Sequence, residues 1–271
     1  LLAEIDRTTQ SASNRGFGSH SVYVDADGVW TVLADVDGEW RRWRSPDFFA
    51  DRMWDAAPAI DASGSPAAPV VVQNDDAWWL LAVGPSADST QVQQLTARRS
   101  SDGRAWAVES DPVVWFSGPG QVRDPYVVRL GEQWYCYYTG EYDEARRHAA
   151  ILVRTSPDLV TWSAPQVAHE DVLADAATAL RSHASPVVVY RSGYYYLFRQ
   201  TAAGTVHVYR SSTPENFGRG QMDNKMIATL PLTAPELVVG PDGYDYVTST
   251  SADGSRIQMH RLLWEADKPA W

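Results

Sequence analysis

Residues Pro125-Tyr-Val-Val-Arg-Leu-Gly-Glu-Gln-Trp-Tyr-Cys-Tyr-Tyr138 carry the clearest structural signal in the chain. A β-branched run precedes Gly131, and an aromatic-rich run follows it. β-Branched and aromatic residues favour strands, whereas a glycine between two such runs is typical of a hairpin turn. The segment therefore predicts two antiparallel strands joined by a tight turn.

The same pattern occurs four more times. Each copy has a short β-branched run, a turn with Gly or Asp, and a second apolar or aromatic run, and the copies cover residues 21–33, 69–81, 186–198 and 235–247. The five starts, at residues 21, 69, 125, 186 and 235, are 48, 56, 61 and 49 residues apart. Repeats of about 40–50 residues or slightly more are typical of β-propellers.

A serine-containing turn with a following aromatic residue lies between successive hairpins. Its copies cover residues 45–47, 101–106, 156–162 and, in degenerate form, 212–217. Ser and Asp side chains in such turns accept hydrogen bonds from nearby backbone N–H groups, and we expect the aromatic residue to pack on the neighbouring sheet. Hairpin, third strand, capped turn and return strand make one blade. The sequence thus predicts an all-β fold, a five-bladed β-propeller of four-stranded antiparallel blades, in a single domain over residues 1–271.

One segment does not follow this repeat of hairpins and serine turns. Leu173, Ala176, Ala177 and Leu180 recur at helical spacing, and neither Gly nor Pro interrupts residues 170–181. We predict one short helix there, directly before the fourth hairpin.

Charge and composition exclude several classes of partner. The chain has 271 residues, with 23 Lys and Arg against 34 Asp and Glu, and a net charge of −11. Because this field repels phosphate and anionic lipid, we expect neither nucleic acid nor a membrane surface as a partner. The longest apolar run, residues 77–83, is far shorter than the roughly 20 residues of a spanning helix. We find no charged-then-apolar signal segment at the N-terminus.

Cys136 is the only cysteine in the sequence. A single cysteine excludes an internal disulfide and a cysteine-based zinc cage. Because Cys136 lies inside a predicted hairpin strand, we expect its thiol to be buried and inert.

Candidate site residues lie where the first strand of each hairpin begins, since these strands line the axis of a propeller. A pocket formed by several chain segments there is a natural site for a small-molecule or carbohydrate ligand. Among the polar residues at these positions, the candidates are His20, Arg123, Asp124, His183, Ser185 and Glu236. No ligand spacing among them supports a metal, and we predict neither a metal nor a cofactor.

The third repeat resembles a known superfamily. Arg123-Asp124-Pro125-Tyr-Val-Val, followed by Trp134-Tyr-Cys-Tyr-Tyr-Thr139, resembles the third blade of the five-bladed β-propeller glycoside hydrolases, which include the arabinanase and xylosidase type and the invertase and levanase type. Residues 156–162 and Ala234-Pro-Glu-Leu-Val238 are similar to the same superfamily. The resemblance implies a carboxylate in blade one as base or nucleophile, an Asp in blade three as modulator, and a Glu in blade four as general acid.

The sequence departs from this pattern at two of the three positions. Asp124 matches the Asp of blade three. Blade one reads Ser19-His20-Ser21 where the resemblance has Asp-Pro, and blade four reads Ala184-Ser185-Pro186 where it has Glu-Ser-Pro or Glu-Gly-Pro. Cleavage of a glycosidic bond requires one protonated and one ionised carboxyl group, so the departure bears directly on function.

Three interpretations remain open. Carboxyl groups from neighbouring loops can take the missing places, and the candidates are Asp25, Asp27, Asp55 and Glu170. Alternatively, the propeller binds a sugar without cleaving it. In the third interpretation the pocket supports a non-hydrolytic cyclisation, rearrangement or elimination.

We predict a glycoside-hydrolase-like enzyme that acts on a sugar or a glycosylated small molecule. Asp124 and His183 are its predicted catalytic residues, because a histidine titrates near neutral pH and can replace the absent general acid. The predicted substrate-binding residues are Arg123, His20, Glu236 and Ser185. Purely structural roles compete with these, such as a strand-capping Asp124 paired with Arg123, or a hydrogen-bonded core histidine at residue 183.

Overall fold

The structure is a computed structural model that describes most of the chain. It describes residues 3–6, 17–36, 39–49, 55–57, 67–75, 77–86, 89–106, 113–118, 122–143, 148–170, 185–201, 203–265 and 268–270.

The described residues form β-strands almost throughout. In chain order these are β1 (Ala3–Asp6), β2 (Phe17–Val24), β3 (Trp30–Val36), β4 (Glu39–Ser45), β5 (Asp55–Ala57), β6 (Ala67–Asn74), β7 (Ala77–Ser86), β8 (Ser89–Ser100), β9 (Val113–Gly118), β10 (Val122–Leu130), β11 (Gln133–Asp143), β12 (His148–Ser156), β13 (Gln166–His169), β14 (Val187–Arg191), β15 (Tyr194–Gln200), β16 (Val206–Ser211), β17 (Met226–Leu230), β18 (Glu236–Val239), β19 (Asp245–Thr250), β20 (Arg256–Arg261), β21 (Leu263–Glu265) and β22 (Lys268–Ala270). A single turn of 3-10 helix covers Gln221–Asp223.

The strands form the five four-stranded sheets that the repeat predicts. Sheet one has the order β2-β3-β4-β5, sheet two β6-β7-β8-β9, sheet three β10-β11-β12-β13 and sheet four β14-β15-β16-β17. Each predicted hairpin supplies the first two strands of a sheet, and the strands that these five sheets pair are antiparallel wherever a register is resolved. The expected class of fold is confirmed.

Sheet five joins the two ends of the chain. Its order is β18-β19-β20-β1, and the N-terminal strand pairs with β20 in antiparallel register, Ala3 opposite Met259 and Asp6 opposite Arg256. The sequence repeat did not identify β1, because a four-residue strand without a hairpin turn gives no periodic signal. The hairpin β21-β22 follows as a separate two-stranded sheet.

The predicted helix over residues 170–181 lies, apart from Glu170, outside the described residues. Glu170 itself forms an isolated parallel bridge with Arg219. Within the described part of the chain, no helix is long and apolar enough to cross a membrane.

The chain groups into two compact units. Unit one comprises Leu1–Ala82, Thr96–Val113 and Leu232–Trp271, and unit two comprises Val83–Leu95 and Val114–Pro231. Unit one therefore contains sheets one and five, and unit two contains sheets three and four. The single domain over residues 1–271 remains a prediction.

The serine turns that follow the third strand of a sheet have the predicted capping geometry. Ser45 Oγ accepts a hydrogen bond from Asp47 N at 3.1 Å, and Ser156 Oγ accepts one from Asp158 N at 3.2 Å. In sheets two and four the capping residues are Ser100 and Ser211, each one position before the serine that the sequence indicated. The sequence prediction was one residue too late in these two turns, because β8 ends at Ser100 and β16 ends at Ser211.

In unit two the aromatic residue of the fourth serine turn packs on the preceding sheet. Phe217 is fully buried in a cluster with Tyr137 and Ile151 of sheet three, and the Phe217 and Tyr137 rings meet edge to face at 6.3 Å. The Tyr137 hydroxyl donates to the Pro214 carbonyl oxygen at 2.8 Å. Sheet three is thus tied to the turn of sheet four by both apolar contact and a buried hydrogen bond.

Unit one contains the same arrangement between sheets one and two. Trp106, which ends the second serine turn, packs with Tyr23 and Trp40 of sheet one. The Tyr23 hydroxyl donates to the Gly103 carbonyl oxygen at 2.9 Å. Gly103 has a φ of +68°, and a Cβ there would approach the Trp78 ring to about 3.1 Å, so a glycine suits this turn.

We expect Tyr137→Phe to lower the free energy of unfolding by about 1–2 kcal/mol, because it leaves the buried Pro214 carbonyl without its donor. Urea unfolding at neutral pH measures this. Tyr190→Phe is the matched control, since Tyr190 is 54% exposed, and it should change stability by less than about 0.5 kcal/mol. Equal effects of the two substitutions would show that the hydrogen bond contributes nothing to stability.

Cys136 is buried, as predicted, and burial raises the pKa of its thiol well above the ordinary value. The thiolate is the reactive form of cysteine, and the buried Cys136 is protonated. A thiol reagent should therefore label the folded protein only as fast as local or global unfolding exposes Cys136. Mass spectrometry after timed exposure to iodoacetamide measures the rate, and the urea-unfolded protein gives the reference. Labelling of the folded protein at the unfolded rate would contradict this expectation.

Candidate functional site

Asp124 lies near the start of β10 in unit two. The side chain is buried, with 6% of the residue exposed. The β10–β11 pairing changes register here, from Arg123 opposite Thr139 to Tyr126 opposite Tyr137, so the backbone bulges at Asp124 and Pro125. A bulge turns a side chain away from the regular alternation of the strand, and bulges are frequent beside active sites.

Thr139, opposite Arg123, adds a polar group that the sequence did not single out. It is buried, and its Oγ1 has no hydrogen-bond partner among the described residues. Arg123 itself is only partly buried. A buried hydroxyl without a protein partner is available to a ligand or a water molecule. Counting outward from the Gly131 turn would have placed Thr139 opposite Asp124, and the bulge moves it opposite Arg123.

Ser185 lies directly before Pro186 and sheet four. It is partly buried, and its Oγ is enclosed without a hydrogen-bond partner among the described residues. Strand β10, which contains Asp124 as its third residue, is in contact with β14, which begins two residues after Ser185. His183, the predicted general acid, lies outside the described residues.

Three sheets share an unusual backbone conformation at the residue before the proline. The φ angles are +47° at Asp124, +36° at Ser185 and +45° at Ala234. L-residues other than glycine seldom adopt positive φ, and such strain, of about 1–3 kcal/mol each, is often found at functional sites. The three residues occupy the same position of the repeat, where the sequence analysis placed the candidate site residues.

In unit one, His20 connects sheet one with sheet five. It lies on β2 and is 5% exposed. Its Nε2 lies 2.7 Å from the Thr248 Oγ1 on β19. Burial lowers the pKa of His20 from 6.5 to about 4, so the ring is neutral at neutral pH.

The second ring nitrogen of His20 has an unused hydrogen-bonding capacity. Nδ1 is buried and has no partner among the described residues. A neutral imidazole has one N–H donor and one acceptor nitrogen, so Nδ1 is either an unused acceptor or an unused donor, according to the tautomer. In both tautomers this nitrogen can bind a hydroxyl group of a ligand.

Glu236 lies at the start of β18 and is directly opposite Thr248 in the β18–β19 pairing. Directly opposed residues of an antiparallel pair have side chains on the same face of the sheet. Thr248 is directed towards His20 of sheet one, so Glu236 is also directed towards sheet one. Burial raises the pKa of Glu236 from 4.5 to about 8, although the residue is only partly buried. The carboxyl group is therefore mostly protonated at neutral pH.

Thr248 is the residue of this cluster that sequence reasoning missed. Its Oγ1 contacts His20 and also donates a longer bond of 3.4 Å to the Glu236 carbonyl oxygen. Threonine in a strand gives no functional signal by itself. The turn Pro241-Asp242-Gly243 does fix the hairpin centre, and counting outward from it pairs residue 248 with residue 236.

Two of the alternative carboxyl groups that the sequence offered, Asp25 and Asp27, have structural partners. Asp25 Oδ1 accepts hydrogen bonds from Asp27 N and Val29 N, and Asp25 Oδ2 pairs with Arg44 at 2.5 Å. Asp27 pairs with Arg104. Both carboxylates therefore stabilise the β2–β3 turn. Among the described residues, no group of three or more His, Cys, Asp or Glu is arranged to hold a metal ion.

Solved structures with similar folds belong to the glycoside hydrolases. A thermostable family-43 glycoside hydrolase superposes with a TM-score of 0.72 at 15% identity, over 94% of this chain and 92% of that one. The GH43_1 enzyme from Xanthomonas citri complexed with xylose gives a TM-score of 0.72 at 15% identity, over 99% and 93%. The GH32 beta-fructofuranosidase from Bombyx mori gives 0.67 at 16%, over 94% and 61%.

These similarities define the fold as that of the five-bladed β-propellers of the arabinanase, xylosidase and invertase type. The resemblance that the sequence showed around residues 123–139 is confirmed at this level. No protein-family model and no curated protein matches the sequence itself.

His20 should make stability depend on pH. Its folded-state pKa of about 4 lies below the unfolded value of 6.5, so the unfolded chain binds this proton more tightly. The stability that the neutral ring provides is complete above pH 6.5 and is lost as the pH falls towards 4. His20→Gln removes the titration and retains an amide that can reach Thr248.

Between about pH 7 and about pH 5, the wild type should lose about 2 kcal/mol more stability than His20→Gln. Urea unfolding of both proteins at the two pH values measures the difference. Other titrating groups are common to both proteins and cancel in the comparison. Identical pH dependence would mean that His20 binds its proton equally well in the folded and unfolded states.

Proposed function

We propose that this protein is a carbohydrate-active enzyme that cleaves a glycosidic bond of a sugar or a glycosylated small molecule. The observation that carries the proposal is Asp124, a buried carboxyl group in a left-handed backbone conformation. It occupies the position where the resemblance predicts an acidic residue. The fold is shared with glycoside hydrolases, among them one enzyme that was solved with xylose and with xylotriose.

Asp124 suits a role at the reacting centre. Burial and the bulged backbone restrict its rotamers, so its carboxyl group is held in place before the substrate binds. A fixed negative group in a site with little water stabilises the positive charge that develops on the sugar ring during cleavage. Arg123, Thr139 and Ser185 supply donors close to Asp124 in the sequence or in the strand register, and they are proposed to bind sugar hydroxyl groups. His183 remains the proton donor that the sequence predicts.

A second candidate function is a non-hydrolytic reaction on a small molecule. One observation favours it: the place of the blade-one carboxylate holds His20, which burial keeps neutral because its pKa is about 4. A neutral imidazole can accept a proton, but it has no negative charge with which to replace a carboxylate nucleophile or to stabilise the positive charge on a sugar ring. Such a site suits the transfer of a proton within a substrate. The products distinguish the two candidates, because hydrolysis incorporates one oxygen from labelled water and an isomerisation incorporates none.

Asp124→Asn should reduce kcat/KM by about 10²-fold or more, because the substitution keeps the shape of the side chain and removes its charge. The substrates are xylotriose, sucrose, and aryl glycosides of xylose and arabinose, assayed by release of reducing sugar or phenol. Circular dichroism and the melting temperature report on folding.

Asp223→Asn is the matched control for this substitution. Asp223 lies in the short 3-10 helix of the same unit, 3.8 Å from Lys225, and the variant should keep full activity. Full activity of folded Asp124→Asn on a substrate that the wild type cleaves would contradict the proposed role. Absence of wild-type cleavage across the panel, together with turnover of a substrate without uptake of labelled oxygen, would favour the second candidate.

A further inference from the structure

The boundary between sheets three and four, within unit two, changes from apolar to polar along its length. Tyr137 of sheet three and Leu197 of sheet four belong to one buried apolar cluster. Side chains two positions apart on a strand lie on the same face. Thr139 follows Tyr137 by two positions, and Arg199 follows Leu197 by two. Thr139 and Arg199 therefore lie on the faces that the two sheets turn towards each other.

The pairing registers extend both residues into rows across their sheets. The row in sheet three consists of Arg123, Thr139, Ile151 and His169. In sheet four, Arg199 is directly opposite His207. Directly opposed residues of antiparallel strands have side chains on the same face. The two rows thus bring two arginines and two histidines to one boundary, and none of these row residues is acidic.

Contacts of the His169 ring show that the two rows meet. The rings of His169 in sheet three and Tyr209 in sheet four have centroids 4.1 Å apart. His169 Nδ1 donates to the Phe217 carbonyl oxygen at 3.2 Å, because a carbonyl oxygen can only accept. The Tyr209 hydroxyl lies 3.5 Å from His207 Nδ1. In the tautomer in which that nitrogen accepts, His207 Nε2 carries an N–H donor.

The cluster combines a buried cation with a hydroxyl group that has no protein partner. Arg199 is 7% exposed. Its guanidinium group is always charged, and its planar set of donors matches an oxyanion such as a carboxylate. Thr139 is 4% exposed, and its Oγ1 has no hydrogen-bond partner among the described residues. His207 and Arg123 are only partly buried, so a ligand can approach the cluster from their side.

The position of the cluster relates it to Asp124 of the same unit. The row in sheet three begins at Arg123, the residue before Asp124. Neighbouring strands are about 4.8 Å apart, a spacing comparable with the width of one sugar ring. A sugar bound beside Asp124 can therefore extend across Thr139 towards Arg199. A carboxylate on that sugar would form charged hydrogen bonds with the guanidinium group, whereas a neutral hydroxymethyl group makes no ion pair there.

We infer that unit two binds a sugar that carries a carboxylate group, a uronic acid, and that Arg199 and His207 bind this carboxylate while Thr139 binds a neighbouring hydroxyl group. The inference rests on the proposed function in one respect, since it takes this sugar to be part of the substrate whose glycosidic bond is cleaved. The carboxylate undergoes no chemical change in that reaction, so Arg199 and His207 determine specificity.

Matched pairs of sugars test the inference without turnover. D-Glucuronate is compared with D-glucose, and D-galacturonate with D-galactose, by isothermal titration calorimetry. The wild type should bind at least one of the acids at least about 10-fold more tightly than its neutral counterpart, because hydrogen bonds between charged groups are the stronger ones. Arg199→Gln should remove this preference and leave the affinity for the neutral sugars unchanged.

A second variant keeps the test valid if folding requires Arg199. In His207→Phe the ring beside Tyr209 is retained and the N–H donor is lost, so binding of the acid should weaken about 3–10-fold. Arg191→Gln is the matched control, because Arg191 is exposed at the far end of β14 and the substitution removes the same charge. It should bind every sugar as the wild type does. Circular dichroism and the melting temperature report on folding.

Three binding results would overturn the inference. The first is equal affinity of the wild type for the acids and for the neutral sugars. The second is an equal loss of acid binding in Arg199→Gln and Arg191→Gln, which would indicate a general effect of charge. The third is binding of inorganic phosphate as tightly as of the uronates, which would indicate an anion site without specificity for a sugar.

Hydrolysis is measured separately, with aryl glucuronides and galacturonides added to the neutral aryl glycosides. We expect kcat/KM for at least one acidic substrate to exceed that for its neutral counterpart by at least about 10-fold. If the wild type binds a uronate through Arg199 but cleaves neither acidic nor neutral glycosides, the proposed function fails and the recognition of the acidic sugar stands. If it cleaves neutral glycosides at least as well as acidic ones, the proposed function stands and the inference is wrong.

Discussion

The contact between an aromatic side chain of one sheet and the serine turn of the next is the interaction on which the rest of the fold depends. In unit two, Tyr137 of sheet three donates its hydroxyl to Pro214, and Phe217 fills the space beneath it. In unit one, Tyr23 and Trp106 make the equivalent pair of contacts between sheets one and two. A tyrosine combines a large apolar ring with a donor at its tip, so one side chain provides both burial and orientation. Each sheet exposes apolar faces that it cannot bury alone, and this contact fixes the orientation of its neighbour.

The serine turn is the part of the repeat that makes this contact possible. Its Ser and Asp side chains satisfy backbone N–H groups that no strand can pair, as the bonds of Asp158 to Val160 N and Thr161 N illustrate. The turn therefore keeps one shape in several sheets while the residues outside it vary. The starts of the first strands are then free to carry unusual residues, including the strained positions at Asp124 and Ser185.

The chemistry of the candidate site follows from burial rather than from pairing. An exposed His20 would carry a proton for part of the physiological range, and an exposed Glu236 would be ionised. Burial shifts both pKa values towards the neutral form, that of His20 down to about 4 and that of Glu236 up to about 8. A neutral cluster of this kind can exchange hydrogen bonds with uncharged polar groups. It is unsuited to binding a strongly anionic ligand, in keeping with the net charge of −11.

The sequence by itself determined the repeat, the hairpins and the number of sheets, because strand propensity and turn chemistry are local and recur with a period. It also placed Asp124 at the start of a strand and Cys136 inside one. Local patterns could not show that residues 3–6 complete the last sheet, since that pairing joins positions 250 to 256 residues apart. Local patterns also gave no reason to include Thr248 among the candidate site residues, or to expect the side chain of Glu236 to face sheet one. Tertiary structure decided those points, because the face that a strand buries depends on register and on the neighbouring sheet, and the protonation state of a carboxyl group depends on the water that this packing excludes.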